Sequence, residues 1–218
     1  MVGGSRESQL AALLDLHARL TAPPLVPELR VWTAPAVVPF WEAAEAVFGT
    51  LESPFWAFPW PGAQGLARYV LDDPDRFAGR RVLDIGAGGG LAALAVARVG
   101  GTGVANDVDP LALLAARCNA AANDLALSTL PGDLSGTDDI DADVVFAGDV
   151  CYDREAAARL VPWLRHLART RRVIVADAGR AFAPRSGVTP LAEYTVPTTV
   201  DLEGRSARVV TLVELAPE

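Results

Sequence analysis

The sequence predicts a doubly wound α/β fold, and three observations predict it. From Arg81 onward, short apolar runs alternate with helical patterns, which indicates a parallel sheet covered by helices on both faces. A run of glycines, Gly86–Gly90, directly follows the first of these apolar runs and precedes a helical pattern. The last two strand-like runs have no helix between them, so they should form an antiparallel hairpin at the edge of the sheet. We therefore expect a Rossmann-like sheet of seven strands, mostly parallel with a C-terminal antiparallel hairpin, plus an N-terminal helical and irregular layer.

The length and the composition fit a single domain. A chain of 218 residues lies within the usual range for one domain. Hydrophobic residues make up 51% of the chain and charged residues 21%, which allows a substantial core and argues against disorder. We expect one domain over residues 1–218, with an accessory layer at residues 1–61 and the Rossmann-like core at residues 62–218.

The N-terminal layer begins with a helical pattern at Gln9–Leu20, which Pro23 and Pro24 should end. The following stretch, Leu25–Pro61, is rich in proline and tryptophan. It predicts an irregular layer that packs on the larger core.

The core elements alternate along the chain in the order that a parallel sheet requires. Their predicted bounds are helix Gln64–Leu71, strand Arg81–Ile85, helix Leu91–Val99, strand Gly103–Asp107, helix Pro110–Asn123, strand Leu127–Leu130, strand Asp143–Ala147, helix Arg154–Ala168 and strand Arg172–Ala176. The closing hairpin comprises Glu193–Leu202 and Ser206–Leu215, joined by a turn at Glu203–Arg205.

The charge and the cysteine content restrict the function and the compartment. The net charge is −8 and all 19 basic residues are arginine, so the surface lacks the basic character that nucleic-acid binding requires and favours a cationic partner. Two cysteines outside any C-x-x-C pair imply neither a disulfide scaffold nor a structural metal. The sequence shows no signal peptide and no apolar run long enough to span a membrane. We expect a cytoplasmic monomer that engages neither nucleic acid nor membrane.

The glycine loop indicates a nucleotide-type ligand. In VLDIGAGGG, Val82–Gly90, the glycines permit positive φ angles and close approach of a ligand to backbone N–H groups. The spacing is G-x-G-x-G rather than the G-x-G-x-x-G of dinucleotide sites, because Leu91 occupies the sixth position counted from Gly86. This spacing suits an adenosyl group without a pyrophosphate, and an ordinary strand-to-helix turn is the alternative.

Two aspartates follow the next two strands. Asp107 ends a strand about 20 residues after Gly86, where a carboxylate can accept both hydrogen bonds of a ribose diol. A helix cap is the alternative for Asp107, although Asp109 fills that role better because it directly precedes Pro110. Asp133, in the loop after the third strand, is placed to accept a hydrogen bond from an adenine amine, or it is a surface turn carboxylate.

From about Leu29 to the end, the chain resembles the seven-β-strand methyltransferases that use S-adenosylmethionine. Four segments are similar to the lysine methyltransferases of the electron-transfer flavoprotein β-subunit: PFWAFPWPGAQGLARYVLDDP, ANDVDP, GDVCYD and ADAGR. Two positions depart from the family, because Ala63 stands where a second glycine is common and Ala178 where proline is usual. Neither change removes a chemical group.

The resemblance implies that S-adenosylmethionine is the cofactor and that no metal takes part. Asp84 and Gly86–Gly90 would hold its methionine part, Asp107 would hold its ribose, and Trp60 and Gly148 would line its sides. The full set of implied cofactor-binding residues is Trp60, Asp84, Gly86, Ala87, Gly88, Gly90, Asp107, Val108, Asp133, Leu134 and Gly148.

The resemblance also implies that the D-x-x-Y motif, here Asp149 to Tyr152, lies beside the acceptor lysine. Asp149 would recruit and orient the amine rather than act as a strong base. Its alternative role is to cap the helix that starts at Arg154, although Asp153 is the closer cap. Tyr152 would bind the amine or wall the lysine channel, and its alternative is a half-buried core aromatic.

Trp56, Phe58 and Trp60 alternate, as side chains do on one face of an extended segment. They would form an aromatic wall along the lysine stem or against the sulfonium. The alternative for Trp56 and Phe58 is packing of the N-terminal layer on the sheet.

We therefore expect an S-adenosylmethionine-dependent N-methyltransferase that acts on a protein lysine, with the electron-transfer flavoprotein β-subunit as the favoured target. A surface of net charge −8 would attract a lysine-rich segment. The absence of lysine would prevent automethylation, although the codon usage of a GC-rich genome explains it equally well. The alternatives are methylation of a ribosomal protein, of a small-molecule amine or of a nucleic-acid nitrogen, and a cofactor-binding regulator without catalysis.

Overall fold

The N-terminal layer consists of two helices and a two-stranded ribbon. The computed structural model of the chain describes residues 5–49 and 52–217. In the first of these ranges lie α1 (Arg6–His17), β1 (Arg19–Thr21), β2 (Val31–Thr33) and α2 (Val37–Phe48), and the two strands pair antiparallel.

Both predictions for this layer were wrong in part. Helix α1 ends at His17 rather than at Leu20, because Arg19–Thr21 pair with β2 instead of continuing the helix. Helix α2 occupies a stretch for which an irregular structure was predicted. Its Pro39 lies in the first turn, where backbone N–H groups have no intrahelical partner, so the proline removes no helical hydrogen bond.

The core begins at α3 and alternates strands with helices, as predicted. Its elements are α3 (Pro61–Asp72), β3 (Arg81–Ile85), α4 (Leu91–Arg98), β4 (Thr102–Asp107), α5 (Pro110–Ala122), β5 (Ser128–Pro131), β6 (Val144–Gly148), α6 (Arg154–Leu167), β7 (Arg172–Asp177), β8 (Val188–Pro197), α7 (Val200–Glu203) and β9 (Ala207–Leu215).

The sheet has seven strands in the order β5-β4-β3-β6-β7-β9-β8. The pairs from β5 to β7 are parallel, and β9 lies antiparallel between β7 and β8. The predicted mostly parallel sheet with a C-terminal antiparallel hairpin is therefore confirmed. Strand order reverses between β3 and β6, and open α/β sheets place ligands outside the carboxyl ends of strands at such a reversal.

The hairpin differs from the prediction in its bounds. Its first strand covers Val188–Pro197 rather than Glu193–Leu202, because β8 is the outermost strand and an edge position tolerates Pro190. Residues Val200–Glu203 form the one-turn helix α7, which Gly204 ends with a φ of 67°. The hairpin connection therefore carries a helical turn in place of a simple tight turn.

Successive strand residues pack on opposite faces of the sheet, as the pleat requires. Phe146 belongs to the cluster formed with α3 and α4, whereas its neighbour Val145 packs with α6. The N-terminal layer packs mainly on α5, through residues such as Phe40 and Leu111. This arrangement leaves the loops after β3, β4 and β6 around one cavity, beside the segment that joins the layer to α3.

Candidate active site

A cavity of about 810 Å³ lies at the carboxyl ends of the parallel strands. Its walls come from the glycine loop after β3, from the loops after β4, β5 and β6, and from the segment that precedes α3. Pockets that enclose small ligands commonly have volumes of about 300 to 1,000 Å³. The cavity is therefore large enough for a nucleoside and for part of a second molecule.

The glycine loop bends through conformations that favour glycine. Gly86, Gly88 and Gly90 have φ angles of 62°, 51° and 78°. A Cβ atom at Gly90 would lie 2.9 Å from the Cβ of Ala116, so only glycine lets α4 begin this close to α5. The loop therefore presents backbone rather than side chains to the cavity.

Asp84 lies beneath the glycine loop and not on the cavity wall. Its residue is 3% exposed. Burial raises the pKa of Asp84 to about 7, a backbone hydrogen bond at Ala93 opposes that rise, and the charge of Asp107 adds to it. Gly90 is also absent from the described cavity wall. These two predicted cofactor residues therefore lie outside the described cavity wall.

Asp107 ends β4 and faces the cavity. Its Oδ2 accepts a hydrogen bond from Gly88 N at 2.9 Å, and its Oδ1 accepts one from Asp109 N at 3.0 Å. Burial raises its pKa, and the backbone hydrogen bonds oppose that effect. A carboxylate has about four acceptor positions, so acceptor capacity is left for a diol. The cap of α5 is Asp109, whose Oδ1 accepts from Leu111 N at 2.8 Å.

Three further predicted residues form the rim of the cavity. Val108 is 68% exposed, and Leu134 is partly buried beside Asp133. The Asp133 carboxylate accepts hydrogen bonds from both the backbone and the hydroxyl of Ser135, which lower its pKa, and it forms an ion pair of 3.2 Å with Arg159. The side chain is thus held at the rim by its own neighbours.

Asp149 directly follows Gly148, the last residue of β6, and its residue is 8% exposed. Its Oδ2 accepts a hydrogen bond from Gly62 N at 2.6 Å. Its Oδ1 accepts from Ala178 N and from Arg180 Nε, each at 3.3 Å. Because Gly62 lies in the first turn of α3, Asp149 supplies an acceptor to the open N-terminus of that helix.

Asp149 does not cap α6, so that alternative was wrong. Asp153 caps this helix, with Oδ2 accepting from Ala156 N at 2.8 Å. Burial raises the pKa of Asp149, whereas the charge of Arg180 and the Gly62 hydrogen bond lower it. The carboxylate therefore lies in a dry position where a paired cation and backbone donors favour its charged form.

Tyr152 stands at the mouth of the cavity and is 62% exposed, so the core-aromatic alternative was wrong. Its ring centroid lies 6.3 Å from that of Phe55 in an edge-on arrangement. Partial burial raises the pKa of Tyr152, and the charges of Asp153, Glu52 and Asp107 add to this rise. The mouth therefore combines aromatic rings with negative charge.

Trp56, Phe58 and Trp60 do not share one face of an extended segment, because Phe55–Ala57 form a turn of 3-10 helix. Trp56 and Phe58 are buried against α2 and α5, so the N-terminal layer packs through them on the helices rather than on the sheet. Both residues also line the cavity. Trp60 is partly buried on the cavity wall. Its Nε1 donates to Phe55 O at 2.7 Å, which fixes the ring.

The sequence analysis missed three residues of the site. Arg180 and Gly62 hold Asp149, and Asn119 donates to Gly89 O at 2.9 Å behind the glycine loop. A signal for Arg180 existed, because it closely follows β7, and β7 lies next to the strand that ends before Asp149. The amide of Gly62 leaves no such signal, since any residue type supplies a backbone N–H.

No helix in the described part of the chain is long and apolar enough to cross a membrane. Within residues 5–49 and 52–217, no group of three or more His, Cys, Asp or Glu side chains is arranged to hold a metal ion.

The chain is similar over most of its length to curated methyltransferases. It is 34% identical to the electron transfer flavoprotein beta subunit lysine methyltransferase of Danio rerio over 209 residues, which cover 92% of this chain and 80% of that protein. It is 36% identical to the protein of the same description in Xenopus laevis over 189 residues, covering 83% of this chain and 76% of that protein. It is 34% identical to the Homo sapiens protein of the same description, over a region that covers 82% of this chain and 70% of that protein.

More distant similarities concern the cofactor-binding half and the fold. Residues 68–150 match the family described as Ribosomal protein L11 methyltransferase (PrmA). Magnesium protoporphyrin IX methyltransferase from Synechocystis, solved with SAH bound, superposes with a TM-score of 0.52 at 16% identity, covering 71% of this chain and 82% of that one. TrmN from Thermus thermophilus superposes with a TM-score of 0.51 at 24% identity, and the match covers 70% of this chain and 48% of that one. At these identities the two structures share the fold with this chain.

Proposed function

This chain belongs to the electron transfer flavoprotein beta subunit lysine methyltransferase family, and from that premise we propose that it methylates lysine side chains of an electron transfer flavoprotein beta subunit. The observation that carries the proposal is the buried, hydrogen-bonded carboxylate of Asp149, which shares one cavity with the glycine loop. A methyl donor bound at the loop would then lie next to an acceptor held at Asp149.

S-adenosylmethionine, when bound, supplies a methyl group on a positively charged sulfur. The described wall fits its adenosine, since Asp107 keeps acceptor positions for the ribose and the glycine loop offers close backbone contact. We place the adenine toward the rim at Asp133 and Leu134, and the methionine part toward Gly86 and Gly148. Trp60 would flank the sulfur end.

The chain's own residues would align the acceptor and exclude water. A lysine nitrogen must be neutral to attack the methyl carbon, so the proton of its ammonium leaves to water before the C–N bond forms and the C–S bond breaks. Asp149 is fixed on three sides and can hold the amine in line with the methyl carbon. Because such a displacement needs no covalent enzyme intermediate, positioning supplies most of the acceleration.

The mouth of the cavity supports a protein substrate. Phe55 and Tyr152 are 49% and 62% exposed and would contact the aliphatic stem of a lysine. The carboxylates of Glu52, Asp107 and Asp153 surround the Tyr152 hydroxyl closely enough to shift its pKa. A cationic segment would be attracted to such a mouth.

The test is mass spectrometry of an electron transfer flavoprotein beta subunit after incubation with the enzyme and isotope-labelled S-adenosylmethionine. We expect labelled methyl groups on lysines of the beta subunit. Asp149→Asn should lower the rate by roughly 100-fold, because the acceptor loses its alignment while the cofactor wall is unchanged. Asp143→Asn is the matched control and should keep wild-type activity, since its carboxylate also accepts a backbone hydrogen bond, from Arg81 N, but lies outside the described cavity wall.

Two results would contradict the proposal. Label on another protein of an unfractionated lysate, with none on the beta subunit, would replace the target and keep the chemistry. Full activity of Asp149→Asn would remove Asp149 from the acceptor site. A ribosomal protein is the second candidate target, because residues 68–150 match the Ribosomal protein L11 methyltransferase family. That match ends at Val150 and so covers the cofactor half rather than the mouth.

We further propose that the enzyme works as a cytoplasmic monomer and does not bind nucleic acid. The net charge of −8 supports the absence of nucleic-acid binding, because a phosphate backbone would be repelled. Light scattering of the purified enzyme would test the monomeric state, and unchanged activity in the presence of competing RNA would test the absence of nucleic-acid binding. Fractionation of the source cells would test the compartment.

A further inference from the structure

Arg180 connects Asp149 to the C-terminal hairpin. Its Nε lies 3.3 Å from Asp149 Oδ1, while its Nη2 and Nη1 lie 2.6 and 3.2 Å from the two carboxylate oxygens of Glu203 in α7. Its own backbone N donates to Asp177 Oδ1 at 2.6 Å. The guanidinium is therefore held by Asp149 at its Nε and by Glu203 at its two terminal nitrogens.

The partner carboxylate, Glu203, is itself held rigidly. Its side chain is 1% exposed. Arg208 Nε donates to its Oε2 at 2.9 Å, and Arg208 Nη2 donates to its backbone carbonyl at 2.8 Å. Arg180 thus reaches Asp149 from an anchor that cannot swing into solvent.

Arg180 is also part of the cavity wall. Its Cζ lies 5.9 Å from the ring centroid of Trp60. The other arginine in the described wall, Arg159, lies at the rim and pairs with Asp133. At the Asp149 end, Arg180 is therefore the positive charge that the described wall supplies.

This position matters because of what an unpaired Asp149 would do to the substrate. A lone carboxylate beside a lysine favours the ammonium form, which has no electron pair for attack. A guanidinium bonded to the same carboxylate offsets its charge, so an arriving amine meets an ion pair instead of a full negative charge. The amine then loses its proton more readily.

We propose that Arg180 is a positioning residue for methyl transfer, which orients the Asp149 carboxylate and offsets its charge so that the acceptor amine can be neutral in the site. This inference rests on the proposed function. It adds a reason why a carboxylate at the acceptor site does not trap the lysine in its unreactive form.

Other charged and titratable groups surround the pair and must be included in a pH argument. Asp177 at the end of β7 acts on both Asp149 and Cys151. Glu203 and Arg208 form the remainder of the ion network, and Tyr152 lies on the mouth side. Burial raises the pKa of the Cys151 thiol to about 12, so this group stays neutral over the working range.

The experiment is a pH–rate profile for methylation of the beta subunit by wild-type enzyme, Arg180→Gln and Glu203→Gln. Activity should rise with pH as the bound lysine loses its proton. Arg180→Gln removes a positive charge and should move the midpoint of this rise up by about one pH unit. Glu203→Gln leaves two arginines unbalanced and should move the midpoint down. These opposite shifts separate an electrostatic role from a loss of packing.

Two further variants serve as controls. Arg180→Lys keeps the charge without the fork, so it should keep the wild-type midpoint at a lower kcat. Arg172→Gln removes another half-buried, ion-paired arginine, whose partners Glu214 and Tyr69 lie outside the described cavity wall, and should leave the profile unchanged. An unshifted midpoint in both Arg180→Gln and Glu203→Gln, in folded protein that binds S-adenosylmethionine, would overturn the inference.

A second readout needs no acceptor. Titration of the Asp149 carboxyl carbon by NMR, identified with Asp149→Asn, should show a higher pKa in Arg180→Gln than in the wild type. If wild-type enzyme fails to label the beta subunit, the proposed function fails, and this titration still decides whether Arg180 controls the charge of Asp149. An unchanged titration would overturn that control.

Discussion

Most of the hydrogen-bonding capacity of Asp149 is used within the protein. Two backbone N–H groups and one guanidinium bind its oxygens, and its own φ of 54° lies in a region that non-glycine residues rarely adopt. Such a conformation persists where surrounding contacts determine it. An acceptor amine would therefore find a carboxylate already in place, with little freedom to move and few positions left to fill.

Asp84 should make the folding stability depend on pH. Its pKa is raised from 3.8 to about 7 by burial, so it binds a proton more tightly in the folded than in the unfolded state. The resulting destabilisation is absent below about pH 4, grows as the pH rises, and is complete above about pH 7. Asp84→Asn should therefore gain about 1.4 kcal/mol over the wild type for each pH unit in this window.

Urea unfolding of both proteins at about pH 5 and about pH 8 measures this difference. The advantage of Asp84→Asn should be larger at the higher pH. An equal difference at the two pH values would show that Asp84 does not titrate between them.

The N-terminus of α3 approaches the end of β6 unusually closely. A Cβ atom at Gly62 would lie 2.8 Å from Asp149 N and 2.9 Å from Asp149 Cγ. One at Gly148 would lie 3.2 Å from Ala63 N. The helix start and the strand end thus form one unit, in which small residues let a backbone N–H reach the site carboxylate.

Gly62→Ala should reduce methyl transfer more than it reduces cofactor binding. The added methyl group overlaps backbone and carboxylate atoms of Asp149, so it must push the carboxylate away from its partners. We expect kcat to fall by roughly 100-fold, because small displacements of a positioning group have effects of that size. Isothermal titration with S-adenosylmethionine should show a Kd close to wild type.

The control for Gly62→Ala is Gly100→Ala, far from the cavity wall. Gly100 has a φ of 85° and no atoms within 4 Å of an added Cβ, so alanine there costs backbone strain of about 1 kcal/mol. It should lower Tm without lowering kcat. If Gly62→Ala behaves like Gly100→Ala, the close approach of α3 has no part in the reaction.

The parts of the fold that the sequence predicted are those with local patterns. The predicted bounds of strand Arg81–Ile85 agree with the structure, because its buried apolar run lies directly before the glycine loop in the sequence. Helix α2 was missed because proline and tryptophan obscured its period, and α7 was missed because one helical turn carries almost no pattern. The ion network of Arg180 and Glu203 depends on how the hairpin packs beside β7. A local sequence pattern cannot predict this packing.

The junction between the N-terminal layer and the glycine loop should couple stability to cofactor affinity. Asn119 is 1% exposed, donates to Gly89 O at 2.9 Å and accepts from Trp32 N at 2.8 Å. Asn119→Ala leaves these two groups without their partner, so unfolding free energy should fall by about 2 kcal/mol. The Kd for S-adenosylmethionine should rise several-fold, because the loop loses its support.

Asn123→Ala is the matched control for this junction. Asn123 also joins α5 to the N-terminal layer, through Arg30 N at 2.9 Å and Arg30 O at 2.6 Å, but it makes no described bond to the glycine loop. It should lower Tm and leave the Kd unchanged. Equal effects of the two variants on the Kd would show that the layer as a whole, and not Asn119, supports the loop.

The helical turn α7 has a consequence for how new acceptors could arise. Leu202 lines the cavity, and Glu203 binds the arginine that pairs with Asp149, so the hairpin connection contributes to the acceptor side. The glycine loop, Asp107 and Asp133 of the donor side come from the stretch between β3 and β6. Sequence drift, or a grafted loop, in the hairpin can therefore alter which amine is accepted without rebuilding the donor pocket.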